Sequence, residues 1–580
     1  MSKIINKSKK RVLYGSADYR EIVMENGYFV DKTKYIEALE RVKNPVFLRP
    51  RRFGKSLWCN ILECYYDIFQ KDDFEILFGH TYIGQNPTQI RNSFFILHLD
   101  FSTVEPGRSI AEIEDNFNRN CNSRMKAMIG RLNNWFGSLI EINKDFSASS
   151  NLEQILDIIW EKNLPKLYVI IDEYDNFANQ LIVSNKISLY DAVTGDNSFL
   201  KPFFKTLKRG RKDGSIANVF ITGVLPVTLD DLASGFNIAD YLTLNPTFEC
   251  MLGFTQPEVS KLLDEVYRDY AIDPVTRDQV EAVIKANYDG YHFVNPDDNA
   301  LYNSTILMYF LKWFTEHKEI PEYLTDLNLR TDFSWVKRIT GANPDNTKEF
   351  LNTLNTKNRI PYDKQFLTTK FNMYQLFKKN YYAVSFFYLG MLTREDDFFL
   401  KLPNLNMQQI FVEYFNEIQS IDVSTLYAEM MQRFVNKPDL PLLFAEYWEH
   451  YISQLPESIF AHVNENFYRT TFFELCSRYL SKWFTWDMER SYPKGRTDLE
   501  FVGKFNEKYA GLRIVIEFKY LSNTKLKQMK TNVNKFLLRK KDSEQIISYV
   551  NDLKKSFSTA TIMQYVIYCF GNKGFRVFEI

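Results

Sequence analysis

Four short apolar runs, PVFL (45–48), FFILHLDF (94–101), LYVIID (167–172) and NVFIT (218–222), are too continuous to alternate an inner with an outer face. Strands of that kind are covered on both sides, and the arrangement that covers them is a parallel sheet between layers of helices. The segments between them fit: SLWCNILECYYDIF and SNLEQILDIIWEKN repeat their apolar positions at helical spacing. YLTL (241–244) adds one more candidate strand. The first 250 residues are therefore expected to form an α/β domain.

At 580 residues the chain exceeds what one hydrophobic core serves, and roughly two to four domains are expected. From LGFTQPEVSKLLDEVY (252–267) onward the pattern turns to helix after helix, with Thr255 as a candidate N-cap and Pro257 and Glu258 in the first turn. Strand signals return at TDLEFVG (497–503), LRIVIEFKY (512–520), TIMQYVIYCF (561–570) and FRVFEI (575–580). Three parts follow: an α/β domain over 1–250, a helical middle over 251–455 and a compact C-terminal α/β domain over 456–580.

Charge is balanced, with 72 Lys and Arg against 72 Asp and Glu, which argues against a protein coated by nucleic acid along its whole surface. The stretch 519–541 is locally basic, with eight Lys or Arg and no acidic residue. It reads either as a phosphate-backbone contact or as the solvated face of an amphipathic helix. The six cysteines are scattered without a CxxC, and Cys59 and Cys64 lie on a helical pattern. A zinc site is not expected from them, and reduced thiols are. A membrane span needs about 18 apolar residues in a row, and the sequence has none. A cytoplasmic protein with no membrane partner is expected.

RPRRFGKSLW (49–58) resembles a phosphate loop, G-x-x-x-x-G-K-[ST], in which Arg49 replaces the leading glycine. A triphosphate site needs backbone N–H groups, a cation and a magnesium ligand at a strand–loop–helix junction. PVFLRPRRFGKSLW supplies that order. Arg49, Gly54, Lys55, Ser56 and Leu57 are the candidate ATP-binding residues there. Lys55 would reach the β- and γ-phosphates and Ser56 would ligate Mg2+. LYVIIDEYDNF runs apolar residues into Asp172, a candidate to hold Mg2+ through its water shell, and Glu173, a candidate general base. Thr222, at the end of the NVFIT strand, is placed where a γ-phosphate could be sensed. Arg49, Arg51 and Arg52 either contact phosphate or face solvent. Arg209 and Arg211 in LKRGRKDG read as arginine fingers acting in trans in a homo-oligomer, or as an ordinary basic segment.

FVDKTKYIEAL (29–39), RPRRFGKSL, LYVIIDEYDNF, TGVLPVTLDDLASGFNIADYLTL (222–244) and GFTQPEV (253–259) together resemble the AAA-ATPase-like family. The downstream blocks YDGYHF (288–293), FYLGMLT (387–393) and LPNLNMQQIF are similar to later blocks of that family, so the resemblance covers most of the chain. It implies a P-loop NTPase fold with ATP and Mg2+ as cofactors.

In LRIVIEFKY, Glu517 and Lys519 are two residues apart and leave the same face of a strand, while Phe518 faces the core. Asp498, in KGRTDLEFVG, feeds a second strand that would bring it beside Glu517. Two carboxylates bind Mg2+, and a lysine orients or activates water, which is the equipment for cutting a phosphodiester. The pattern resembles the PD-(D/E)XK nuclease superfamily. That resemblance implies a helical glutamate completing the metal site, with Glu465 the candidate, and Glu474 and Glu489 as further possibilities. It also implies a following helix, QIISYVNDLKK (545–555), with Gln545 near phosphate or water. The expected function is an ATPase fused to a Mg2+-dependent nuclease, with nucleic acid as partner, DNA rather than RNA, and nucleotide state regulating cleavage. The rival is a nucleotide-dependent switch or interaction protein whose nuclease-like domain only binds.

Overall fold

The computed structural model describes residues 9–105, 107–176, 189, 198–226, 236–325, 344–368, 373–376, 378–423, 426–488, 491–492, 495–529 and 531–580. Two compact units emerge. The first gathers Met1–Leu262, Tyr291–Met308 and Tyr362–Phe398; the second gathers Leu263–Gly290, Tyr309–Pro361 and Phe399–Ile580. Segments of 251–455 thus contribute to both.

The first unit is built on five parallel strands: β1 (Pro45–Leu48), β2 (Phe95–Asp100), β3 (Leu167–Asp172), β4 (Ile216–Gly223) and β5 (Asp240–Tyr241). Their order is β2-β3-β4-β1-β5. Every residue of β1 and β3 is buried, as near-continuous apolar runs demand. Among the described residues, the longer helices between the strands are α1 (Lys55–Tyr66), α2 (Ile110–Arg131), α3 (Ala148–Glu161) and α4 (Leu200–Asp213). Leu48 pairs with Gly223 and Asp100 with Asp172, so the carboxyl ends of β1, β4, β3 and β2 reach one edge together. In an open parallel sheet that edge is where ligands bind.

The last strand is shorter than YLTL suggested. Thr243 leaves the ladder because its hydroxyl, rather than a backbone carbonyl, accepts from Leu48 N–H at 3.0 Å. Helix α5 (Gln256–Tyr270) begins where expected. Glu258 accepts from Thr255 N–H at 2.8 Å, one half of a capping box, and pairs with Lys32 at 2.6 Å.

The second unit carries a mixed sheet of β6 (Phe484–Met488), β7 (Leu499–Gly503), β8 (Leu512–Tyr520), β9 (Thr561–Cys569) and β10 (Phe575–Glu579), ordered as in the chain. Only the β8–β9 pair is parallel; β6–β7, β7–β8 and β9–β10 are antiparallel. Helix α6 (Glu465–Leu480) packs on one face through Phe472, whose ring lies 6.4 Å from Phe518. Helix α7 (Lys540–Ser556) covers the other, where Ile546, Val550 and Leu553 bury against Val515 and Val566. β6 was not foreseen: FTWDM is short, and Asp487 interrupts its apolar character.

The basic stretch 519–541 is not one amphipathic helix. It breaks into a short helix (Asn523–Gln528), a 3-10 turn (Val533–Lys535) and the start of α7, with Leu526 and Phe536 buried and Lys525, Lys527, Lys535, Lys540 and Lys541 exposed. Among the described residues no helix is long and apolar enough to cross a membrane. The cysteines are free thiols.

Candidate active sites

At the first site, Gly54 takes φ 89° as the residue before α1, a left-handed conformation that glycine adopts without strain. This turns the chain so that Lys55 opens the helix. Lys55 is 7% exposed and its Nζ donates to the carbonyls of Arg49 (3.0 Å) and Pro50 (2.9 Å). Burial lowers its ammonium pKa, against the opposing pull of Asp172, Glu173 and Asp175. Ser56 hydrogen-bonds Asp172, and Leu57 follows it, half-buried, in the first turn. Burial raises the Asp172 carboxyl, while Ser56, Lys55 and His98 hold it down. Glu173 is raised by burial too, and its backbone stands at φ 48°, an uncommon conformation for a glutamate. The structure thus brings together Lys55, Ser56, Asp172 and Glu173 from two separate segments.

Arg49 neither contacts a phosphate position nor faces solvent. It is 1% exposed, its guanidinium lies 4.3 Å from the Phe47 ring and 4.4 Å from the Phe293 ring, and it donates to the carbonyls of Leu48, Thr243 and Glu249. An arginine so enclosed by carbonyls and rings is a brace for the loop, which corrects its expected phosphate contact. Thr222 is likewise corrected: at 1% exposure its hydroxyl donates to Phe47 O at 2.7 Å, stitching β4 to β1. Arg51 is exposed and close enough to act electrostatically on Lys55 and Glu173, while Arg52 is half-buried at φ 70°. Arg209 pairs with Glu153, Asp157 and Asp213, and Arg211 donates to Asn44 and the Ile216 carbonyl, so both are committed within their own fold.

Three contributors lie in segments that carry the family resemblance, but the sequence assigns them no role at this site. Asp175 accepts from Val224 N–H (3.2 Å) and Leu225 N–H (2.8 Å), tying the turn after β3 to the end of β4. The aromatic block YDGYHF reaches the loop, since Phe53 meets Tyr291 at 5.1 Å and Phe293 at 5.3 Å, both edge-on. Gly390 of FYLGMLT stands at φ 77°, and a Cβ there would come within 2.5 Å of Pro50 Cβ. Gly390→Ala is therefore expected to displace the loop and lower stability by about 1–3 kcal/mol. If Pro50 needs that support, a fluorescent-nucleotide titration should show affinity falling about tenfold; thermal melting measures the stability change.

At the second site, β7 and β8 pair with Leu499 opposite Ile516, which carries Asp498 alongside Glu517. Asp498 accepts from Phe518 N–H at 2.7 Å and lies 3.5 Å from Arg469. Glu517 is 2% exposed; its Oε1 accepts from Lys519 Nζ (2.7 Å) and Gln545 Nε2 (2.6 Å), while its Oε2 is buried without a hydrogen-bond partner. Gln545 also donates to Tyr549 at 2.7 Å, which fixes its amide. Burial, then the neighbouring Asp498, pushes the Glu517 carboxyl up to about 8. Glu465, at the start of α6, is raised by burial and by Asp498, against a backbone hydrogen bond from Tyr520. Burial works against the Lys519 ammonium, but Glu517, Asp498 and Glu465 more than offset it, so the lysine stays charged at neutral pH. As an ammonium it offers three N–H groups to donate.

Glu465, Asp498, Glu517, Lys519 and Gln545 therefore converge. Two carboxyls held above their ordinary range and an orphaned Oε2 are what a divalent cation would relieve, so the donor set fits Mg2+. A cavity of about 190 Å³ lies beside them, lined by Glu465, Arg469, Arg496, Asp498 and residues 356–358. Glu474 does not join the group: fully buried, it is engaged with Arg478 and Asn416. Glu489, Lys530 and positions 227–235 of the TGVLPVTLDDLASGF segment lie outside the described residues.

Comparison with known proteins follows the same division. Residues 13–233 match a family model described as a predicted AAA-ATPase, and residues 463–579 match one of the PD-(D/E)XK nuclease superfamily. No curated protein matches the chain. Among solved structures, the Aeropyrum pernix ORC2 protein in ADPNP–ADP complexes aligns with 69% of this chain and 98% of its own, at 12% identity and a TM-score of 0.29. At that score the likeness carries no weight; the fold rests on strand order and on the family models.

Proposed function

We propose that the chain is an ATP-hydrolysing P-loop ATPase fused to a Mg2+-dependent nuclease that cleaves nucleic-acid phosphodiesters, DNA in preference to RNA. The observation that carries the reading is the meeting of Asp498, Glu517 and Lys519, with Glu465 and Gln545, at one end of the β7–β8 pair. Mg2+ bound there would neutralise phosphate charge and sharpen a water nucleophile. Asp498, Glu517 and Glu465 would hold it. Lys519, kept cationic by Glu517, would donate to the attacking water or to a phosphate oxygen. Gln545 holds Glu517 in place from α7. The exposed Lys525, Lys527, Lys535, Lys540 and Lys541 would contact a phosphate backbone.

In the first unit, Lys55 would exchange the carbonyls of Arg49 and Pro50 for the β- and γ-phosphates, so nucleotide and loop compete for one ammonium. Ser56 and Asp172 would hold Mg2+, and Glu173 would take the proton of the attacking water. Backbone N–H groups from Gly54 onward complete the phosphate cradle. The helical stretch between the two sites would pass nucleotide state to the nuclease. Cleavage by an Asp172→Ala/Glu173→Ala protein at the wild-type rate, with and without ATP, would sink that coupling.

The raised Glu517 carboxyl sets a pH signature. With its folded pKa above the unfolded value, protonation favours the folded state: the stability it contributes is full below the ordinary glutamate range and is lost as pH rises through about 8. Divalent cations reverse the sign, because they need the carboxylate. Mg2+ is therefore expected to raise the melting temperature more at pH 9 than at pH 6, and its binding at pH 7 to release protons. Differential scanning fluorimetry across pH, with calorimetry in two buffers of different ionisation enthalpy, measures both.

A further inference from the structure

Cys59 of α1, His98 of β2 and Asp172 of β3 each bring one ligand atom to a common point, all within 4.8 Å of one another. Cys59 is fully buried and Asp172 is 4% exposed. The histidine is the telling member. Its Nδ1 hydrogen-bonds the Glu63 carboxylate at 2.9 Å, while its Nε2 is buried with no hydrogen-bond partner. A carboxylate on one ring nitrogen, with the other left without a partner in a residue that borders two further donors, is the arrangement by which proteins orient a metal-binding imidazole. A buried polar nitrogen left without a partner is otherwise destabilising.

We propose that Cys59, His98 and Asp172 form a zinc site, oriented by Glu63, that zinc and magnesium nucleotide occupy in alternation. Sulfur, imidazole nitrogen and carboxylate oxygen are a zinc donor set, whereas Mg2+ takes oxygen almost alone. With Zn–N near 2.0 Å and Zn–S near 2.3 Å, tetrahedral edges are about 3.5 Å, so the ligands close by on the order of 1 Å. Three protein ligands leave the fourth position to water. On binding, the Cys59 thiol gives up its proton to solvent, as does His98 where Glu63 holds it as imidazolium, so that the ring coordinates as neutral imidazole; no electron changes hands. Alternation follows from Asp172, which the proposed ATPase reading assigns to Mg2+, so this half of the inference rests on that reading.

The test uses the full chain carrying Asp498→Ala and Glu517→Ala, which silences the oxygen-ligated second site, with Co2+ and Zn2+ as probes. One equivalent of Co2+ is expected to give the thiolate-to-cobalt charge-transfer band and the intense visible bands of a tetrahedral site, and Zn2+ to bleach both. Cys59→Ser should abolish the charge-transfer band and His98→Gln the tetrahedral spectrum. Glu63→Gln, which touches no metal, should weaken Zn2+ binding about 10- to 100-fold; a merely structural Glu63 would leave affinity unchanged in a folded protein. Far-UV circular dichroism checks folding, and Cys59→Ala serves if Cys59→Ser is unstable. Absence of a thiolate band in the parent protein, or its survival in both Cys59 variants, overturns the site. Magnesium ATP is expected to displace the metal. Intact zinc binding without displacement supports the site and contradicts the assignment of Asp172 to nucleotide-bound Mg2+.

Discussion

Glu517→Gln is expected to reduce Mg2+-dependent cleavage by on the order of a thousandfold while leaving the protein folded. The carboxylate is 2% exposed and accepts from both Lys519 and Gln545. An amide keeps the shape but removes the negative charge that a cation needs. Its carbonyl oxygen can keep both bonds, with the NH2 group in the place of the unpartnered Oε2. The same change should make the metal-free protein no less stable, and more stable above pH 8, where the wild-type carboxyl is ionised against Asp498. Loss of cleavage with gain of alkaline stability separates a chemical role from a packing role. A glutamine variant that cuts at the wild-type rate would remove Glu517 from the chemistry. Initial rates on a labelled duplex, with melting curves at pH 6 and pH 9, measure both effects.

Glu173→Gln is expected to lower ATP hydrolysis by about 10²–10⁴-fold while nucleotide binding survives. Glu173 follows Asp172 with its backbone at φ 48°. Ser56 hydrogen-bonds Asp172, so the magnesium ligands proposed for this site do not include Glu173. Binding that holds while turnover falls is the signature of a residue acting on the attacking water. Equal losses in affinity and turnover would instead mean that Glu173 supports the loop. A nucleotide titration beside a phosphate-release assay distinguishes them.

The parallel sheet was legible because strands buried on both faces leave near-continuous apolar runs, and β1 and β3 were read to the residue. β8 was equally legible, LRIVIEFKY matching its bounds. The pairing of Asp498 with Glu517 followed from side-chain alternation and an antiparallel partner, and the register of β7 with β8 supplies it. Arg49 and Thr222 were misread for one reason: a polar residue at a strand end is ambiguous until its hydrogen-bond partners are known. Arg49 finds three carbonyls and Thr222 one, all from the surrounding backbone. Local pattern also missed what long-range folding assembles. Nothing near Gly390 in sequence announces Pro50, and Cys59, His98 and Asp172 meet only because β2, β3 and α1 are neighbours in space.

The most direct measurement incubates the purified protein with single- and double-stranded DNA and RNA, with and without Mg2+ and ATP, beside an Asp498→Ala/Glu517→Ala/Lys519→Ala protein. Product from the wild type alone, only when a divalent cation is present and with DNA the better substrate, is the predicted result. Equal product from both proteins, or none from the wild type on any substrate, would contradict the assignment of a nuclease to the C-terminal site.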